Sequence, residues 1–176
     1  MSGAGVLRVR SFPPVENARA SVLILGSMPG GASLAAGQYY AHPQNLFWRI
    51  LLDLLGAKPG LSYAARTRLL KARGIALWDV LESCVREGSL DSAIEEETIV
   101  VNDFAAFYRA HPRIRRVFFN GAKAEAAYRR YVRPSVETVG APRAYTRLPS
   151  TSPAHASRSF AQKREAWKAV VAGDGG

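Results

Sequence analysis

Four clusters of polar and aromatic residues stand out from the apolar background of this 176-residue chain. The first is Gly26-Ser-Met-Pro-Gly-Gly31 with the loop after it, Gln38-Tyr-Tyr-Ala-His-Pro-Gln-Asn45. The second is Asp79, the third Asn120-Gly121, and the fourth Leu148-Pro-Ser-Thr-Ser-Pro-Ala-His155. Together they offer aromatic faces, amides, hydroxyls and the backbone N–H groups of turns. Such a set suits stacking a flat heterocycle, holding its polar edge and gripping phosphates beside it. Other chemistries lack their signatures. There is no Gly-x-x-x-x-Gly-Lys or Gly-x-Gly-x-x-Gly nucleotide loop and no Gly-x-Ser-x-Gly elbow. His42, His111 and His155 are unclustered and Cys84 is alone, which argues against a metal site. No cofactor and no metal are expected. Nothing clearly supplies the carboxylate pair of an ordinary glycosidase, and the absence of lysine from these clusters argues against a Schiff-base step.

The apolar pattern indicates which elements carry these residues. Val22-Leu-Ile-Leu25 ends in a Gly/Pro turn and reads as a buried strand. Apolar residues at 46, 47, 50, 51, 54 and 55 share one helical face. Pro43 suits the first turn of that helix, which would place Asn45 within the turn, and Gly56 suits its end. Residues 57–73 read as a turn and a short basic helix, and residues 74–81 as a second strand with Asp79 near its exit. Residues 84–94 look loop-like, and 98–110 read as a helix capped by Asn102-Asp103. A third strand is expected at 113–119, a helix at 122–131 and a fourth strand at 136–146. Ser157 is expected to cap a last helix through Val171; residues 1–20 read as an irregular lead-in and 173–176 as a frayed tail. Alternating strands and helices predict an α/β fold with a mainly parallel, four-stranded central sheet. In such sheets the ligand crevice lies outside the carboxyl ends of the strands. The exits after Leu25, around Asp79 and at Asn120, with the loop after the fourth strand, would then converge on one crevice.

With 48% hydrophobic residues the chain has material for one domain spanning 1–176, its core at about 20–171. No apolar run approaches the roughly 20 residues that span a bilayer, and Arg8 and Arg10 interrupt any signal-peptide core. The lone cysteine fits a reducing compartment. The expectation is a soluble cytoplasmic monomer, nucleoid-associated if bacterial. Net charge is +10, unevenly distributed: residues 1–100 hold 10 Lys/Arg against 9 Asp/Glu, and residues 101–176 hold 14 against 5. A basic excess in one half argues for a polyanionic partner, most simply nucleic acid.

Gly26-Ser-Met-Pro-Gly30 followed by Tyr39-Tyr-Ala-His-Pro-Gln-Asn-Leu-Phe-Trp48 resembles the uracil-DNA glycosylase superfamily. The likeness is closest to its hypoxanthine-DNA (deoxyinosine) glycosylase branch, family six. Leu77-Trp-Asp-Val80, Gly88-Ser-Leu-Asp91, Phe118-Phe-Asn-Gly121 and Leu148-Pro-Ser-Thr-Ser-Pro153 match that branch in order, over roughly residues 20–170. The resemblance implies a three-layer sandwich and hydrolysis of the N-glycosidic bond of a deaminated base flipped from DNA. In the mismatch-specific branch an asparagine before the first Pro-Gly positions the attacking water. Here that residue is Met28, which cannot hold water. The hypoxanthine branch places the duty on Asn45, whose alternative role is a helix-start amide bonding local backbone.

By the same resemblance Tyr40 stacks the extruded base, unless it is a core aromatic. Asp79 reads a ring N–H or orients water, unless it merely caps the strand end or pairs with an arginine. Asn120 touches the base or starts a turn. Ser27 and Met28 belong to the base pocket, where backbone N–H groups from Ser27 to Gly31 can meet a base carbonyl. Ser150, Thr151, Ser152 and His155 contact DNA, in a loop that grips phosphates and enters the duplex as the base leaves, with His155 a candidate donor to the departing base unless it is merely exposed. The rival readings are the same fold acting on uracil, a damage-binding module without chemistry, and a small-nucleoside hydrolase.

Overall fold

The computed structural model describes residues 7–173; residues 1–6 of the expected lead-in and 174–176 of the expected tail lie outside the described residues. The elements in order are β1 (Arg8–Arg10), β2 (Val22–Gly26), α1 (Gly31–Ala36), α2 (Phe47–Leu54), α3 (Tyr63–Ala72), β3 (Ile75–Asp79) and β4 (Leu81–Val85). They continue with β5 (Val100–Val101), α4 (Phe104–Ala110), β6 (Arg116–Asn120), α5 (Ala122–Tyr131), α6 (Arg133–Val136), β7 (Ala144–Leu148) and α7 (Phe160–Val171). Four strands form an all-parallel sheet in the order β3-β2-β6-β7. β1, β4 and β5 form a small antiparallel sheet.

Successive residues of the inner strands point to opposite faces, and both faces are covered. Leu23, Leu25, Ala76, Trp78, Val117 and Phe119 pack with Phe104 and Phe107 of α4 and Ala124 and Tyr128 of α5. The alternate residues Val22, Ile24, Ile75, Leu77 and Phe118 pack with Phe47, Ile50 and Leu51 of α2, Leu70 of α3 and Trp167 of α7. This is a helix–sheet–helix sandwich, and it explains why β2 and β3 read as unbroken apolar runs. Each such buried leucine or phenylalanine contributes about 1.5–3 kcal/mol.

Several boundaries differ from the sequence expectation. The helix after Asn45 starts at Phe47; Pro43 sits in the preceding turn, so Asn45 lies outside the helix. The apolar spacing located the helical face, but a proline suited to a first turn serves an earlier turn equally well. The fourth strand runs 144–148, because Val136 is buried at the end of α6 instead. Part of the expected loop at 84–94 is the end of β4, whose partner β1 gives the lead-in a strand of its own. The helix expected at 98–110 begins only at Phe104, capped by Asp103, whose side chain accepts from the Ala106 N–H. Ser159, not Ser157, caps α7, in a reciprocal pairing with Gln162.

The architecture brings the four strand exits to one edge. Gly26 and Asp79 are partners at the ends of β2 and β3, and Asn120 and Leu148 at the ends of β6 and β7. β2 lies in the middle, between β3 and β6, so the chain leaves it in both directions; that is the switch point where such sheets open a crevice.

Candidate active site

A cavity of about 900 Å³ opens at this edge. Its lining includes Ser27, Met28, Tyr40, Asn45, Asp79, Asn120, Ser150, Thr151, Ser152 and His155. Every residue singled out from the sequence therefore meets the same space, although they do not all present themselves to it alike.

Asp79 ends β3 and is 3% exposed. Its Oδ2 is buried and has no hydrogen-bond partner among the described residues. Burial foremost, and then the charge of Asp91, push its carboxyl up to about 7, while the Arg86 guanidinium pulls the other way. The carboxylate is seated over Gly26, where a Cβ would stand 2.5 Å from Asp79 Oδ1 and 2.9 Å from the Tyr40 hydroxyl. Only glycine fits beneath these two oxygens.

Tyr40 is the one non-glycine residue with positive φ, 55°, among those described; such backbone is uncommon and costs on the order of 1 kcal/mol or more. Its ring stacks on Phe47 at 4.1 Å and 22°. The core-aromatic alternative and the platform reading are thus compatible: one face is packed, and the residue still lines the cavity. The buried hydroxyl meets no partner at hydrogen-bonding geometry, with the Asn120 amide nearby. Burial, aided by the charge of Asp79, holds its phenol far above the usual range, so it remains a donor.

Asn45 lies in a turn closed by its own N–H donating to His42 O at 3.0 Å. Its Oδ1 accepts from the Phe47 N–H at 2.9 Å, the local backbone bond foreseen as the alternative. That bond fixes which end of the amide is oxygen. The amide NH₂ and the second lone pair of Oδ1 carry no further bond among the described residues, and the side chain is only half-buried where it lines the cavity.

The opposite wall is built differently. Asn120 donates from Nδ2 to Thr151 Oγ1 and accepts from the Thr151 N–H, both at 2.9 Å. Thr151 is 1% exposed, and its carbonyl receives the Leu46 N–H at 3.0 Å. The Thr151 side chain is enclosed and organises the loop expected to contact DNA. Ser150 and Ser152 accept from the N–H groups two residues on, as turn-forming serines do. Gly121, at φ 93°, lets Ser150 approach to 3.1 Å of where a Cβ would be. The His155 side chain is exposed, and its carbonyl is held at 2.6 Å by the buried Lys163. In the first loop the Gly31 N–H is likewise committed, to Ser89 Oγ at 2.8 Å, so it is closed to a base carbonyl.

Sequence reasoning found the loop that follows β4 but missed what it holds. Arg86 is 5% exposed and donates to Gly88 O and Pro29 O, and Ser27 Oγ donates to Asp91 Oδ1 at 2.6 Å. The signal available was an arginine two residues before the Gly88-Ser-Leu-Asp91 motif. The basic side chains of the C-terminal half stay almost wholly outside the cavity. Among the described residues Lys123 is the one lysine or arginine there, and it is paired with Glu96. His111 belongs to the core, bonded to Glu16 and stacked on Phe107. Among the described residues no helix is long and apolar enough to cross a membrane.

Three comparisons with known proteins agree with this geometry. The family description "Uracil DNA glycosylase superfamily" matches residues 13–172. A hypoxanthine DNA glycosylase of Methanosarcina acetivorans is 38% identical over 163 residues, 92% of this chain and 96% of the relative. One from Methanosarcina barkeri is 40% identical over 118 residues, 66% of this chain and 73% of the relative. The solution NMR structure of a candidate uracil DNA glycosylase from M. acetivorans superposes with a TM-score of 0.76 at 34% identity. It covers 94% of this chain and 97% of that one.

Proposed function

The chain belongs to the uracil DNA glycosylase superfamily, and from that premise we propose that it hydrolyses the N-glycosidic bond of a deaminated base turned out of DNA, hypoxanthine above all, leaving an abasic site. The observation that carries this is the buried Asp79 carboxylate with an unpartnered oxygen at the strand edge. Deamination of adenine replaces a lone pair at ring N1 with an N1–H, and deamination of cytosine does the same at N3. An ionised carboxylate accepts from that new N–H and repels the lone pair of the undamaged base. Binding the lesion supplies the partner that Oδ2 lacks and draws the Asp79 carboxyl back down. The same logic supports uracil as a second substrate.

The remaining roles follow from position. Tyr40 stacks the base with Phe47 behind it, a contact worth on the order of 1–3 kcal/mol. Asn45, standing in for Met28, holds the attacking water through its uncommitted amide. As the base leaves, the sugar gains oxocarbenium character, water adds at C1′, and fixed dipoles stabilise the departing anion. Exposed His155 and the serine loop meet the DNA backbone, and Asn120 holds that loop in place while keeping one N–H toward the base. The protein acts as a monomer on DNA carrying deaminated bases, in the cytoplasm or nucleoid, as one domain over the matched residues.

Duplexes carrying inosine, uracil or xanthine opposite each normal base test the reading, scored by strand cleavage at abasic sites. Inosine is released fastest. If no lesion is released by the wild-type protein, the damage-binding module without chemistry is the correct reading. Activity on free inosine that ignores salt would instead favour a nucleoside hydrolase.

A further inference from the structure

We propose that the edge of the parallel sheet opposite the cavity is a second nucleic-acid surface, which grips the phosphates of a DNA segment other than the one seated at the cavity. The proposal goes beyond the function above and takes from it only that DNA occupies the cavity. Much of the basic excess that the cavity leaves unused lies where the chain leads into the four parallel strands. Residues 16–21, 70–74, 109–115 and 140–143 hold seven lysines and arginines and one carboxylate, Glu16, which is bonded to His111. The Ser21 N–H donates to Gly74 O, the Arg115 N–H to Ser21 O and the Ala144 N–H to Arg115 O, so the four segments stand in a row along the amino edge. Asn17 ties two of them a second time, donating to Lys71 O and accepting from the Arg19 N–H.

Helix ends account for part of this charge. Lys71 and Arg109 stand in the last turns of α3 and α4, where a cation complements the helix dipole. Arg19, Arg113 and Arg115 end no helix. All five are exposed, and none forms a side-chain hydrogen bond or ion pair among the described residues. Arg113 and Arg115 flank the buried Ile114, and like charges held so close repel until an anion neutralises them. The exposed residues between these cations are Ala18, Ala72, Ala110 and Pro112, so the surface lacks the apolar and aromatic centre of a protein interface. Guanidinium groups without such a centre match a phosphate backbone. The strands are five residues long, which puts about 15 Å of sheet between this edge and the cavity. One straight duplex cannot lie on both edges, so this surface takes a second segment. Holding both lets the protein pass from one duplex to another without release into solution.

A capture assay tests this. A duplex carrying deoxyinosine is tethered to beads and loaded with protein, and a fluorescent lesion-free duplex is then offered in solution. Wild type captures the second duplex. The variant Arg19→Gln/Arg113→Gln/Arg115→Gln captures about one-tenth as much, and its slope of log affinity against log salt is shallower by about three, roughly one for each phosphate contact removed. Lysine at the same three positions keeps most of the capture, as a charge effect requires. Single-turnover base release from a short duplex by the glutamine variant stays within about twofold of wild type, because the substitutions are exposed and far from the cavity. No capture by wild type, or equal capture by the glutamine variant, overturns the second surface. Base release that falls in step with capture also overturns it, by placing these arginines on the cavity's own DNA. Stronger competition by polyglutamate than by duplex overturns it too, in favour of an acidic protein partner. Capture without base release by wild type overturns the glycosylase reading and leaves the second surface standing.

Discussion

On the cavity wall carried by β2 and β3, or directly behind it, three buried polar atoms lack partners: Tyr40 Oη, Asp79 Oδ2 and one terminal nitrogen of Arg86. On the wall carried by β6 and β7, the polar groups close on one another, Asn120 with Thr151 twice and Thr151 with Leu46. Folded chains pair almost all of their buried polar groups. The first wall therefore holds hydrogen-bonding capacity in reserve for something that arrives later, and the second uses its capacity to hold shape. Substitutions on the two walls should fail in different ways.

The largest expected effect is chemical. Asn45→Ala removes the amide proposed to hold the water and lowers single-turnover release by about 10³-fold, in line with loss of a positioned proton-transfer or water-holding group. It leaves lesion binding intact in a gel-shift titration. Equal loss of binding would move Asn45 into the shape-holding class.

Next comes Asp79→Asn. Folding raises the Asp79 carboxyl from 3.8 to about 7, so the unfolded chain gives up that proton first. Wild-type stability therefore declines as pH rises from about 4 to about 7 and is level above. The variant lacks this decline and gains on the order of 2–3 kcal/mol relative to wild type between pH 5 and pH 8, read from urea midpoints. Wild-type kcat/KM rises through about pH 7 as the acceptor form appears, and the variant loses that limb. A pH-independent rate in the wild type would remove Asp79 from base reading.

Asn120→Ala tests the closed wall. It strands the Thr151 N–H and costs about 2 kcal/mol of stability, seen as a lower urea midpoint. Release at saturating DNA changes by less than tenfold. A loss much larger than that would show that the Asn120 N–H turned toward the base matters more than the loop it holds. Smallest is Tyr40→Leu, which keeps an apolar contact with Phe47 but loses the stack. It raises KM about tenfold with kcat little changed.

The sandwich was legible because β2, β3 and β6 are covered on both faces and so read as continuous apolar runs. β7 was misplaced because it is a mostly exposed edge strand, Ala-Tyr-Thr-Arg-Leu, with little pattern to find. β1 and β4 were not seen because their pairing joins Arg8 to Val85, a separation to which local periodicity is blind. At the site, residue types were legible and commitments were not. Nothing in the string tells that Thr151 is enclosed, that the Gly31 N–H is taken by Ser89, or that Asn45 precedes its helix. Those facts are set by contacts between segments up to about a hundred residues apart.

The hydrogen bond from the Leu46 N–H to Thr151 O has a mechanical meaning. It ties the turn that carries Asn45 to the loop after β7, the segment proposed to meet the DNA, so a displacement of one is passed to the other. Poor seating of the strand would then tilt the nucleophile off its line of attack. On the proposed reading, discrimination against misdocked DNA would pass through this one link between the two segments.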